Sequence, residues 1–133
     1  MNLVGREEFI SELIQSFPEL REEVEDEIIS GLLHLEMASF ARCTQDAIER
    51  GEFDRLIQYY KFADRFYRNA NDPLKNAFYV SYLENLNFDS PNGKKGKSLL
   101  PSALLQGWID INKYLKELGV RSLKPEKKKR KSW

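Results

Sequence analysis

Apolar residues recur at three- and four-residue spacing along most of this chain, and that rhythm predicts helices rather than strands. Residues 6–16 place Phe9, Leu13 and Ile14 on one side of a short amphipathic helix. Phe17-Pro18 ends it, because a residue before proline avoids the α region, while Pro18 suits the first turn of the next helix. From Glu19 to Arg50 one face carries Leu20, Val24, Ile28, Leu32, Leu35, Ala38, Ala41 and Ile48. So long a helix is unusual, and Ser30-Gly31 predicts a bend or break within it. Gly51 closes it in the usual C-terminal manner. A third helix, Glu52 to Asn69, is expected to bury Phe53, Leu56, Ile57, Tyr60, Ala63 and Phe66 or Tyr67. Asn69-Ala70-Asn71 then breaks the rhythm. Asp72 is the expected cap of a fourth helix, Pro73 to Asn87, with Ala77, Val80, Ser81 and Leu83 as its inner stripe. So short a connection sets these two helices side by side and antiparallel. DSPNGKKGKS, residues 89–98, reads as a loop. A fifth helix, Pro101 to Leu118, offers Leu104, Leu105, Trp108, Ile109, Ile111, Leu115 and Leu118, and Gly119 ends it.

The expected fold is therefore all-α, an irregular bundle of about five helices arranged as helical hairpins. A single domain covers residues 1–120. Residues 121–133 hold too few apolar groups to offset ordering entropy and are expected to form a disordered basic tail. Two features complicate this picture. Nine of the thirty residues from Tyr59 to Phe88 are Phe or Tyr, several of them adjacent. Neighbours on a helix point about 100° apart, so they cannot all share one face. The surplus either thickens the core or forms a recognition surface, since tyrosine is a favoured interface anchor.

Charge is the second complication. A formal net charge of zero conceals 5 Arg against 14 Asp and Glu in residues 1–60, and 16 Lys and Arg against 7 Asp and Glu in residues 61–133. Glu19, Glu22, Glu23, Glu25, Asp26 and Glu27 crowd one stretch. A helix dipole favours the first of these, but like charges at i, i+4, as in Glu22/Asp26 and Glu23/Glu27, cost a few tenths of a kcal/mol each. The tail alone holds 7 Lys and Arg against 1 Glu. One cysteine allows no internal disulfide and suits a reducing cytoplasm, and no apolar run is long enough to cross a membrane.

Candidate chemistry is sparse. His34 is the only histidine, and Cys43 lies nine residues further along the same predicted helix, too far for a nucleophilic pair. No zinc or two-metal ligand spacing occurs, so neither metal nor cofactor is expected. GKKGKS, residues 93–98, lacks the spacing of a phosphate-binding loop and no strand precedes it. Asp64 and Glu84 fall in the aromatic helices, where they could form an acid–base pair. The plainer reading pairs Asp64 with Arg68 at i, i+4 and leaves Glu84 facing water. An enzyme is not expected.

The succession FISELIQSFPEL, an acidic helix, and then FYRNANDPLKNAFYVSYLENLNF resembles the small helical immunity proteins of bacterial toxin loci. The resemblance spans about residues 7–118 and centres on Val80 to Leu86, an aromatic-flanked Val-Ser-aromatic-Leu-Glu-x-Leu run. It implies a non-enzymatic protein that binds and blocks one cognate toxin, often a nuclease. A basic toxin would meet either the acidic stretch, Glu22, Glu23, Asp26 and Glu27, or the aromatic helices through Asp64, Tyr67, Tyr79, Tyr82 and Glu84. Two other classes remain open. A nucleic-acid-associated protein would act through Lys94, Lys95, Lys97 and the run at 127–131, and a general adaptor would hold a helix in a groove.

Overall fold

Helix α1 (Arg6–Ser16) starts where the Glu8 carboxylate accepts a hydrogen bond from the Gly5 N–H, and it buries Phe9, Leu13 and Ile14. Both ends fall where the sequence places them. The computed structural model describes residues 3–119, so the expected basic tail at 121–133 lies outside the described residues. Within them every regular element is helical, apart from one bridge in which Val4 pairs with the turn at Asn69–Asn71 through two backbone hydrogen bonds of 2.8 Å.

The long helix expected from Glu19 to Arg50 does not form as one element. A 3₁₀ turn (Pro18–Leu20) leads into α2 (Arg21–Val24), irregular turns cover residues 25–32, and α3 (Leu33–Arg50) follows. The break includes Gly31, at φ +90°, but it is much wider than a bend. Two sets of interactions hold it open, one local and one that reaches α1. The Asp26 carboxylate accepts from the Ile28 N–H at 2.8 Å, a turn that competes with the helical ladder. The Glu36 carboxylate accepts from the Gly31 N–H at 2.8 Å and from Arg6 Nε and Nη2 at 2.9 and 2.6 Å. With residues 25–32 released from the helix, the expected stripe is interrupted: Val24 and Ala41 are buried, Ile28 and Leu32 stand in solvent, and Leu35 is exposed at the start of α3.

Helix α3 ends in a Schellman motif, with Gly51 at φ +71° and hydrogen bonds from Gly51 N–H to Ile48 and from Glu52 N–H to Ala47. Helix α4 (Phe53–Arg68) then buries Leu56, Tyr59, Tyr60, Phe62, Ala63, Phe66 and Tyr67, too wide an arc for contact on one side only. Phe9 and Phe40 are the hubs of the resulting cluster. Phe9 meets Phe40, Phe62, Phe66 and Phe78 at 5.4 to 6.2 Å, and Phe40 meets Phe17, Tyr59, Phe62 and Tyr82 at 4.9 to 6.1 Å.

The fourth expected helix also divides. Asn71, not Asp72, caps α5 (Asp72–Ala77), its side chain accepting from the Leu74 N–H at 3.1 Å. A π-helical turn (Phe78–Tyr82) and a 3₁₀ turn (Leu83–Asn85) continue the chain. The wider π turn changes which side chains face inward. Ala77, Phe78, Ser81, Tyr82 and Leu83 are buried, while Val80, expected inside, is 42% exposed.

Residues 89–98 form no loop but a helix, α6 (Pro91–Ser98), with Ser90 Oγ accepting from the Gly93 N–H at 2.9 Å. Its glycines, read as breakers, are contact points. A Cβ on Gly93 would lie 2.6 Å from the Phe88 backbone carbon, and one on Gly96 3.2 Å from the Ile48 side chain. Helix α7 (Ser102–Glu117) buries Leu104, Gly107 and Ile111 but leaves Ile109 and Leu118, both expected inside, exposed. Among the described residues there are thus seven α-helical segments, where about five were expected.

Glu36 is a fully buried carboxylate, and its partner Arg6 is held charged above its ordinary pKa chiefly by that hydrogen bond. Removing one partner of a buried pair leaves the other charge uncompensated. We expect Glu36→Gln to cost about 3 kcal/mol, the low end of the range because Arg6 is partly exposed. The double change Arg6→Met with Glu36→Met is expected to recover much of that loss. Urea denaturation tests both, and an unaltered midpoint for Glu36→Gln contradicts the assignment.

Candidate functional site

The turns at residues 25–32 project from a pinned base. Val24 is buried on one side, and on the other Glu36 fastens Gly31 to α1 and α3. Between and beside these anchors stand Ile28, Leu32 and Leu35, exposed by 74%, 52% and 45%. The acidic residues singled out from the sequence belong to the same stretch of chain. Glu22, Asp26 and Glu27 are exposed, and half-buried Glu23 forms an ion pair with Arg42 of α3. Periodicity had assigned the apolar residues to the core and the carboxylates to the surface. The structure places both on one surface segment, which only the break in the helix makes possible.

The tyrosines behave differently. Tyr82 is fully buried, its hydroxyl 3.0 Å from Thr44 Oγ1, and Tyr67 is buried on α4. Both were candidate partner contacts, with the core as the alternative for such surplus aromatics, and both are core. Tyr60 donates to the Gly96 carbonyl at 2.9 Å, and Tyr59 donates to Glu19 at 2.8 Å. Burial is the main cause that lifts all four hydroxyl pKa values, that of Tyr59 to about 12. For Tyr67 a hydrogen bond with Tyr79 and the charge of Asp110 add to burial.

Only Tyr79 of the expected recognition tyrosines reaches the surface, half-buried. With Asn76, Val80, Asp110, Ile111 and Tyr114 it lines an open groove of about 350 Å³ between the π turn and α7. Tyr114 and Asp110 were missed in the sequence. Their position off the core stripe of α7 was the available signal, but their companion wall is set by the π turn.

Asp64 pairs with Arg68 as expected, Oδ2 accepting from Nε at 3.0 Å, while its Oδ1 is buried without a hydrogen-bond partner. Glu84 is half-buried on the 3₁₀ turn. His34 is exposed on α3 with Nδ1 2.7 Å from Ser81 Oγ. Cys43 packs against the core, and burial raises its thiol pKa, which disfavours the nucleophilic thiolate. No group of three or more His, Cys, Asp or Glu residues that could hold a metal occurs among the described residues, and no described helix is long and apolar enough to cross a membrane. The lysines of α6 lean on neighbours. Lys97 lies 4.6 Å over the Trp108 ring, Lys95 lies 5.7 Å over Phe53, and Lys94 donates to the Asp89 carbonyl at 3.2 Å. A hollow of about 570 Å³ lies beside Gln45, Glu49 and Asn87, where the Gln45 amide makes two hydrogen bonds with the Asn87 backbone.

This chain belongs to the DUF7674 family, a domain of unknown function, whose model matches residues 10–116. The match runs from within α1 to the last turn of α7, so the helical body is the family's domain. Neither a curated protein nor a solved structure matches the chain.

The raised tyrosine pKa values define an alkaline limit. A group whose folded pKa exceeds its unfolded value contributes stability fully below the unfolded pKa, about 10 for tyrosine, and loses it as pH climbs through the folded value. We therefore expect cooperative unfolding as pH rises from about 10 past the Tyr59 value of about 12. Ionisation of Tyr59, Tyr60, Tyr67 and Tyr82 should coincide with loss of helical circular dichroism. Tyrosinate absorbance that developed fully before that loss would contradict their burial.

Proposed function

We propose that this protein is a non-enzymatic, immunity-type binding protein of the bacterial cytoplasm that neutralises a basic protein toxin by covering its active or substrate-binding cleft. The observation that supports the reading is the stretch at residues 22–35, where Ile28, Leu32 and Leu35 are exposed and Glu22, Asp26 and Glu27 are exposed close by in sequence. Exposed apolar side chains that form one contiguous patch are a mark of protein-binding surfaces, and three large ones fall within this one short stretch. Burying a side chain such as Ile28 on a partner contributes about 2 kcal/mol. The carboxylates add orientation and speed. An acidic patch steers a basic partner and raises the association rate, at a cost in salt sensitivity.

The pinned base favours binding further. Because Glu36 and Val24 fix both ends of the turns, less conformational freedom remains to be lost on docking. The resemblance at Val80–Leu86 supplies the toxin class, and the acidic charge of the first sixty residues suits a nucleic-acid-binding cleft as the target.

The test is to purify the protein with the product of the adjacent gene and measure binding by calorimetry and stopped flow. Association at about micromolar affinity or tighter is expected at low salt. Ile28→Glu should weaken it about tenfold or more, mainly through faster dissociation. Glu22→Lys with Glu27→Lys should slow association and flatten its salt dependence. Deleting residues 121–133 should leave affinity unchanged. No association at low salt, or loss of binding only on that deletion, overturns the reading.

A further inference from the structure

The groove between the π turn and α7 is separate from the 25–35 segment and has its own chemistry. Its walls combine the rings of Tyr79 and Tyr114, the aliphatic side chains of Val80 and Ile111, and one carboxylate, Asp110. Tyr114 is 57% exposed. Asp110 Oδ1 is positioned by the Gln106 amide at 2.9 Å, yet Asp110 forms no ion pair among the described residues. An unneutralised carboxylate beside aromatic rings is half of a recognisable arrangement. The other half is built elsewhere in the same molecule. Arg55 lies 5.9 Å over the Tyr59 ring while its Nη1 donates to Glu19 at 2.6 Å. Arg65 repeats the pattern, 4.7 Å over Phe66 with Nη2 donating to Glu12 at 2.8 Å.

We propose that the groove receives an arginine side chain from the protein partner, its guanidinium pairing with Asp110 and lying against a tyrosine ring, its methylenes against Val80 and Ile111. The inference rests on the partner-binding reading and names the chemistry of one contact. Arginine fits better than lysine. Its planar, weakly hydrated cation stacks on aromatic faces and can offer two donors to one carboxylate, whereas an ammonium remains strongly hydrated. Lys75, 4.9 Å over the adjoining Tyr67 ring, shows that a cation is tolerated beside Tyr79. The groove volume of about 350 Å³ is ample for one such side chain.

The experiment uses a blocked Ala-Arg-Ala peptide and its citrulline counterpart, which keeps the shape and lacks the charge, titrated into the full chain and followed by NMR. Saturable shifts of the Tyr79 and Tyr114 rings and the Val80 methyls are expected, with a dissociation constant on the order of millimolar. Citrulline should bind about tenfold more weakly. Asp110→Asn should abolish the difference between the peptides, and Tyr114→Leu should weaken the arginine peptide, both with unchanged thermal melting. Equal binding of the two peptides, or shifts confined to other residues, overturns the proposal. The two readings separate with the whole partner. If Asp110→Asn leaves its affinity unchanged while Ile28→Glu weakens it, the groove fails and the segment stands. If Asp110→Asn weakens it and Ile28→Glu does not, the groove stands and the segment fails.

Discussion

Adjacent aromatic residues on α4 are the constraint from which the architecture follows. Tyr59, Tyr60, Phe62, Phe66 and Tyr67 spread over too wide an arc to be covered from one side. The chain therefore wraps α4. Phe9 of α1 and Phe40 of α3 interlock with it, Tyr60 reaches the Gly96 carbonyl of α6, and α7 approaches Tyr67 closely where Gly107 has no side chain. A Cβ on Gly107 would come within 2.7 Å of the Tyr67 hydroxyl. Offset and edge-to-face contacts between such rings add roughly 0.5–1.5 kcal/mol per pair beyond burial. Tyrosines that sequence reasoning could offer as a recognition surface are thereby consumed by the core.

The second constraint is a single buried charge. Glu36 sits within the first turn of α3, fully buried, and must find donors. It finds them in Arg6, thirty positions away, and in the Gly31 N–H. Satisfying Glu36 holds the preceding turns out of the helix, and that same arrangement leaves Ile28 and Leu32 in solvent, while Leu35 is exposed on the first turn of α3. Structure and proposed function meet here. An interaction that completes the hydrogen bonding of the interior also shapes the surface held to bind a partner.

Much of this was legible in the sequence, and the failures have physical causes. Helix α1 was readable to its ends because Phe17-Pro18 is a local stop, and the α3–α4 boundary because Gly51 takes the left-handed conformation that a Schellman motif requires. The all-helical class followed from periodicity alone. The break at 25–32 was readable only at Gly31, since its width depends on Arg6 far along the chain. Helix α6 was hidden because Gly93 and Gly96 serve tertiary contact, and glycine used for close packing is indistinguishable in sequence from glycine used as a breaker. The π turn at 78–82 has no local signature, so the inward set of the fourth segment was misplaced by Val80. Of the candidate site, the carboxylates were visible, while Ile28, Leu32 and Leu35 were assigned to the wrong side of the surface. Tyr79 was named in the sequence, and Asp110 and Tyr114 could not be joined to it without the fold.

The central claim is that a core-locked helical body presents a pinned acidic and apolar segment to a protein partner. Hydrogen exchange of the free and partner-bound chain, read by mass spectrometry, tests it most directly. The account predicts slow exchange across α4 in both states, fast exchange at residues 25–32 in the free protein, and protection there on binding. Protection confined to α6, or none at residues 25–35 in a stable complex, would contradict it.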